Sequence, residues 1–172
     1  CRGLANLAHG DLDILVAAKD SPAVMDAFIK LPRVNRVLGK GPTKSSIEFN
    51  DGVRAQVWVL SPEKFGTALV YATGSKDHNV RLREIALAKG LSLSEHSFLK
   101  LKDESEVFCE TEEEVYKTLG LPWIPPELRE DRGEIQAAKA NKLPKLIEVK
   151  NIKADLQTHS NWSDGKLTML EM

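Results

Sequence analysis

Two aspartates one residue apart, Asp11 and Asp13, stand at the mouth of an apolar run, Ile14-Leu15-Val16-Ala17-Ala18. In an extended strand residues i and i+2 project to one face, so the two carboxylates lie side by side against their mutual repulsion. A hard cation such as Mg²⁺ relieves that repulsion and bridges to phosphate oxygens. A solvated strand end suits the same pair, and on the pair alone the two readings stand level. Two-metal phosphoryl transfer calls for a further ligand from a neighbouring strand. The arm at 53–60 is the candidate, but its interior holds no acid. Its Gln56 offers one neutral oxygen and no general base.

Three other groups of residues could do chemistry. Tyr71-Ala72-Thr73-Gly74-Ser75 breaks a helical pattern with Gly-Ser, which lets backbone amides approach an anion or a sugar. An ordinary helix–helix turn fits it equally. Lys76, His78, Asn79, Arg81 and Arg83 follow directly, with Asn79 and Arg83 four apart on one helical face. Amide and guanidinium groups are the types that touch nucleotide edges and backbones, although a plain polar helix face has the same composition. Asp155-Leu156-Gln157-Thr158-His159 leads to an Asp164-Gly165 turn. There Gln157 and His159 share a strand face and Asp164 returns towards them, a donor set suited to Zn²⁺ or Mn²⁺.

The elements that must position these groups are readable from period and punctuation. Residues 11–18 read as a buried strand. Ser21-Pro22 reads as a hydroxyl cap with proline at the first helical position, opening a helix to about residue 31. Residues 34–38 form a short strand. Two strands at 45–49 and 53–60 flank Asn50-Asp51-Gly52, a strong hairpin signal. Helices are expected from Ser61-Pro62 to about residue 71, over 77–89, from Thr111 through Leu119, and over 133–140. Short strands and turns fill 91–110. Residues 121–128, with three prolines, form an ordered loop with a tryptophan anchor. A linker with a strand occupies 142–153, and a new unit begins at Ala154.

Net charge of −1 gives no whole-chain case for nucleic acid or membrane, but the distribution is uneven. Residues 30–56 carry Lys30, Arg33, Arg36, Lys40, Lys44 and Arg54 against Glu48 and Asp51, whereas 103–114 hold seven acids and no base. Such basic patches bind phosphates or are merely solvated faces of alternating sign. Cys1 and Cys109 form no framework, which favours free thiols and a cytoplasmic setting. No apolar stretch is long enough to span a bilayer. The chain opens at Cys1 and stops soon after a new motif has begun, and so reads as a fragment of a longer protein.

Taken together and in order, these motifs resemble a bacterial or archaeal family X DNA polymerase, a polymerase-beta-like core joined to a C-terminal PHP (polymerase and histidinol phosphatase) domain. Gly10-Asp11-Leu12-Asp13 is similar to the family's metal-holding palm motif. Residues 71–79 resemble its nucleotide-sugar loop, continued by Arg81-Leu82-Arg83. Ile124-Pro125-Pro126-Glu127-Leu128-Arg129 through Glu134 resembles a thumb signature. Residues 155–165 are similar to the opening of PHP. The resemblance implies an α+β fold: a nucleotidyltransferase-like palm sheet over 1–60, a helical and mixed thumb over 61–140, a linker over 141–153, and the first strand of a PHP (β/α) barrel over 154–172.

It also implies Mg²⁺ or Mn²⁺ on Asp11 and Asp13, with Gln56 where the family has a third aspartate. Arg2 approaches the triphosphate. Tyr71, Gly74 and Ser75 meet the sugar, and Asn79 meets the base edge. Lys76, Arg81 and Arg83 meet DNA. Gln157, His159 and Asp164 hold Zn²⁺ or Mn²⁺. Partners are a dNTP and gapped or primer–template DNA, with no membrane and a monomeric state. Upstream, Arg2-Gly3-Leu4-Ala5-Asn6-Leu7-Ala8-His9-Gly10 departs from the family's Arg-Gly-x-Glu-Thr-x-Gly. The expected activity is gap filling in DNA repair, with a 3′→5′ exonuclease in the full-length protein and polymerase activity weakened by Gln56. The alternative is a DNA-binding module with a decayed polymerase site and nuclease activity only. A template-independent transferase suits the Asn79/Arg83 face less well.

Overall fold

Strong alternation in the strand Arg54–Leu60 decides the architecture of the first half. Ala55, Val57 and Val59 are buried on one face, while Arg54, Gln56 and Trp58 stand on the other. The computed structural model describes residues 11–154 and 157–171. It builds a four-stranded sheet from β1 (Asp11–Ala17), β2 (Val34–Lys40), β3 (Lys44–Phe49) and β4 (Arg54–Leu60), in the order β1-β4-β3-β2. The hairpin β3–β4 turns at Asn50-Asp51-Gly52, where Gly52 takes φ +83°. β1 runs parallel to β4, in the register Asp11 to Arg54, Asp13 to Gln56 and Leu15 to Trp58.

One helix, α1 (Ser21–Ile29), closes the apolar face by burying Met25 and Phe28 against Ile47, Ala55, Val57 and Val59. Its cap is Asp20, whose side chain accepts from the Ala23 amide, so Ser21 and Pro22 already lie inside the first turn rather than at the cap. A second difference from the sequence expectation concerns β1. It is not a buried strand: Leu12 and Ile14 are exposed. Among the described residues β1 lies at the end of the sheet order and pairs only with β4, and an apolar run alone does not tell a central strand from an edge strand. The basic run is also quieter than its composition suggests. Lys40 pairs with Asp26, Arg33 with Asp51, and Arg36 and Arg54 with Glu48.

The second half has its own core. A one-turn 3₁₀ segment (Pro62–Lys64) leads into α2 (Phe65–Thr73) and α3 (Lys76–Ala88). A small antiparallel sheet follows, β5 (Leu91–Leu93), β6 (Phe98–Lys100) and β7 (Glu106–Val107), and then α4 (Glu112–Thr118) and α5 (Glu134–Lys139). Val70, Leu82, Phe98, Val115, Leu119, Ile124 and Ile135 fill the centre. α2 meets the start of α4 so closely that a Cβ on Gly66 would lie 2.3 Å from the Thr111 carbonyl oxygen. The Gly66 amide donates to the Cys109 carbonyl across this contact.

Over 142–153 the expectation of a strand fails, and the strand expected from 154 falls partly outside the described residues. Among the described residues, 142–154 holds only a 3₁₀ turn (Val149–Asn151), and 157–171 consists of irregular chain and turns. An isolated strand leaves its backbone donors and acceptors unpaired, and among the described residues no neighbouring strand takes them. No helix among the described residues is long and apolar enough to cross a membrane.

Candidate active site

Parallel pairing puts Asp13 directly beside Gln56, and Asp11 beside Arg54, on the face of the sheet away from α1. Adjacent strands sit about 4.8 Å apart, so one ligand can reach across both. Ser46 of β3 faces Gln56 from the far side. Asp11, Leu38, Gly39, Ser46, Arg54 and Gln56 line an open cleft of about 270 Å³. One further carboxylate stands nearby, Glu48. The Arg36 guanidinium grips it through Nε at 3.1 Å and Nη2 at 3.0 Å, and Arg54 Nε lies 3.8 Å away. The hydrogen bond from Arg36 holds the Glu48 carboxyl below the usual carboxylate range.

The open sheet face therefore offers two exposed carboxylates and one amide oxygen, all hard donors, of which Asp11 and Gln56 line the cleft and Asp13 stands beside Gln56. That set fits a largely hydrated Mg²⁺ or Mn²⁺, which takes one or two carboxylates and completes its shell from water and substrate phosphate. Among the described residues, no three acids, histidines or cysteines cluster into a protein-only cage.

The second group forms around the α2–α3 break. Gly74 adopts φ +65°, the Gly74–Ser75 peptide is cis, and the Ser75 side chain caps α3 by accepting from the His78 amide. Tyr71 is exposed, and Asn79 Nδ2 donates to its carbonyl at 2.9 Å. Arg83 lies over the Tyr71 ring at 5.9 Å. Tyr71, Asn79 and Arg83 line one shallow groove with Thr67, Leu93 and Ser94. Lys76 and Arg81 are exposed at the same end of α3, with Arg81 held by Glu84 at 2.6 Å and Asp131 at 3.4 Å.

Beneath this groove lies a polar network. His78 is fully buried, and Glu134 and Tyr116 hold its ring at 2.6 Å and 2.8 Å. Glu134 also accepts from the Asp131 and Arg132 amides, which makes it the ionised acceptor. Burial raises its pKa, but the His78 hydrogen bond and these amides leave it net below the usual glutamate value. Those partners assign the proton to His78 Nδ1 and leave Nε2 to accept from the tyrosine hydroxyl. Burial pushes the His78 pKa down, in keeping with a neutral ring.

Arg129, also fully buried, donates to the Ile124 carbonyl, Glu112 Oε1 and Thr73 Oγ1. By sequence His78 groups with the polar residues Lys76, Asn79, Arg81 and Arg83. It belongs instead to the inward stripe His78, Leu82 and Ala86, whose spacing of four was the available signal.

A family model described as the DNA polymerase beta thumb matches residues 68–130. DNA polymerase/3′-5′ exonuclease PolX of Bacillus subtilis is 35% identical over 164 residues, covering 94% of this chain and 28% of that protein. The chain belongs to the family X DNA polymerases. DNA polymerase lambda of Rattus norvegicus is 34% identical over 87 residues, 45% of this chain and 15% of that protein. The chain thus spans under a third of the length of either relative. Polymerase beta of Leishmania infantum, solved as a ternary P/T complex, matches in fold with TM-score 0.53 at 22% identity, covering 70% of this chain and 60% of that one.

Within this family X chain, the C-terminal motif is only partly assembled. His159 Nδ1 meets Asp164 Oδ1 at 2.5 Å in an exposed turn, and that hydrogen bond holds the Asp164 carboxyl below its usual range. The turn needs glycine, since a Cβ on Gly165 would overlap the His159 carbonyl oxygen at 1.8 Å. Gln157 lies in irregular chain rather than on a strand shared with His159. Arg2 and the run that follows it through Gly10, and Asp155, lie outside the described residues.

Proposed function

We propose that this chain is the palm (1–60), thumb (61–140), linker (141–153) and PHP opening (154–172) of a gap-filling DNA repair polymerase, a cytoplasmic monomer when full length. The observation that carries the reading is the register that sets Asp13 beside Gln56 with Asp11 on the same open face. The reaction is nucleotidyl transfer: a primer 3′-oxygen bonds to the α-phosphorus of a dNTP, the bond to pyrophosphate breaks, and the hydroxyl proton leaves to a base. Mg²⁺ or Mn²⁺, when bound, supplies Lewis acidity at the reacting oxygens. Asp11 and Asp13 would hold it. Tyr71, Gly74 and Ser75 seat the sugar, and Asn79 reaches the base edge. Lys76, Arg81 and Arg83 track the duplex, and Arg2 meets the triphosphate. Gln157, His159 and Asp164 belong to a Zn²⁺- or Mn²⁺-dependent 3′→5′ exonuclease of the full-length protein, by analogy with the Bacillus relative, a DNA polymerase/3′-5′ exonuclease.

Gln56 weakens the polymerase. An amide neither takes the hydroxyl proton nor offsets cationic charge, and loss of such a group costs about a hundredfold or more in rate. The same residue favours a second reading, a DNA-binding module with a decayed polymerase site that keeps only the nuclease. Primer extension on gapped DNA by full-length wild type beside Gln56→Asp separates the two. Gap filling predicts weak or Mn²⁺-dependent extension by wild type, raised by the substitution. Robust wild-type activity in Mg²⁺, unimproved by aspartate, refutes the weakened site. No templated incorporation by either protein favours the nuclease-only reading.

A further inference from the structure

The groove formed by Tyr71, Asn79 and Arg83 is carried by a turn between two helices, with only the end of β5 beside it. What fixes that turn comes from more than 50 residues away. Arg129 reaches it twice. Its Nη1 donates to Thr73 Oγ1 at 2.7 Å, and its backbone carbonyl accepts from the Ser75 amide at 2.9 Å. Thr73 Oγ1 passes the contact on by donating to the Leu69 carbonyl at 2.7 Å. From the other side Glu112 Oε1 accepts from the same Nη1 at 2.7 Å, and the Tyr116 ring lies 5.2 Å from the guanidinium carbon. Trp123 Nε1 donates to Glu112 Oε2 at 3.1 Å.

The guanidinium contacts with Thr73 and Glu112 are charge-assisted and Arg129 itself is fully buried, which fixes a side chain more firmly than a neutral bond at the surface. An arginine fork is also planar, so it sets direction as well as distance. Thr73 and Ser75 flank Gly74, and Asn79 is tied back to Tyr71, so displacement of the turn moves the whole groove.

We infer that Arg129 is a positioning residue for the nucleotide groove, holding Thr73 and Ser75 in place while Glu112 holds Arg129. The inference deepens the polymerase reading and rests on it. Thr73→Val and Arg129→Lys remove the same contact from its two ends, so either carries the test if the other fails to fold. Thr73→Ser keeps the hydroxyl.

The assay is dNTP binding by the full-length protein on gapped duplex with a dideoxy-terminated primer, in Mn²⁺. Duplex affinity and thermal midpoint are measured alongside. Loss of one charge-assisted bond at the groove raises the dNTP Kd about 10- to 100-fold. Duplex affinity should change less than dNTP affinity, since only part of the duplex contact lies on the turn, and Thr73→Ser should bind dNTP within about threefold of wild type. A lowered midpoint with dNTP Kd unchanged assigns Arg129 to stability alone and overturns the inference. Failure of the unsubstituted protein to bind dNTP overturns the polymerase reading itself, and is seen before any variant is made.

Discussion

Replacing Arg129 with methionine is the severest test of how the second half of the molecule is held together. Arg129 and Glu112 have side chains 0% and 2% exposed and meet at 2.7 Å. Removing only the arginine leaves a buried carboxylate without that partner, and takes donors from the Ile124 carbonyl and Thr73 Oγ1. Breaking a buried pair in this way costs about 3–5 kcal/mol, because one charge stays desolvated. Glu112→Gln keeps an acceptor in place and should cost less, about 2–3 kcal/mol. In the double variant both charges are gone, so its cost should fall below the sum by about 2 kcal/mol or more.

Hydrogen–deuterium exchange over residues 65–139 of the full-length protein, followed through a urea titration, confines the reading to this unit. In a domain of this size 3–5 kcal/mol corresponds to a fall in midpoint of about 12–40 °C. A cost for Arg129→Met below about 1 kcal/mol, or strict additivity in the double variant, would show that the pair is exposed in solution.

Two further outcomes follow from the same core. Gly66→Ala would set a Cβ 2.3 Å from the Thr111 carbonyl oxygen, a backbone atom that cannot swing away, so α2 and α4 must separate. A cost of about 3 kcal/mol or more is expected by urea unfolding, and a neutral result would mean that the two helices are not in that contact. Acid should also weaken this unit. His78 lies below its ordinary 6.5, so the unfolded chain binds a proton that the folded one refuses. Its stabilisation is full above about pH 6.5 and is lost as pH falls through the lowered value. Glu134, held below its ordinary 4.5, adds a loss of the same sign beneath that pH. Urea midpoints at pH 7 and 5.5 check the histidine step, and a midpoint that rises on acidification refutes it.

Local chemistry made some of this legible in the residues. Asn50-Asp51-Gly52 fixed the β3–β4 hairpin, and period-two alternation in β4 fixed which residues face α1. With the hairpin arm identified, Gln56 followed as the residue to watch. Charges buried by distant partners were not legible. Glu112 belongs to an acidic run that composition assigns to solvent, yet it is 2% exposed because Arg129 and Trp123 close over it. Nothing within one helical turn announces a partner 17 residues away. β1 misleads for the opposite reason: Ile14-Leu15-Val16 is apolar enough for a central strand, but its place in the sheet order is a long-range fact.

Glu48 sharpens what Gln56 means for the open sheet face. The face carries Asp11 and Asp13, with Arg54 beside Asp11, and Glu48 is the remaining acid on β3 able to compensate for the missing carboxylate. It is poorly placed to do so. A ligand role would require it to leave the two-pronged Arg36 contact and the nearby Arg54, and the hydrogen bond from Arg36 already holds its carboxyl below the usual range. Releasing Glu48 would also leave Arg36 and Arg54 as unmatched positive charges close to any cation on Asp11 and Asp13, which opposes metal binding. An aspartate at position 56 has no such conflict. It faces Asp13 on one side and the neutral Ser46 on the other, so its charge falls where a cation needs it and breaks no existing pair. For that reason Gln56→Asp, rather than any change at Glu48, is the substitution expected to raise activity.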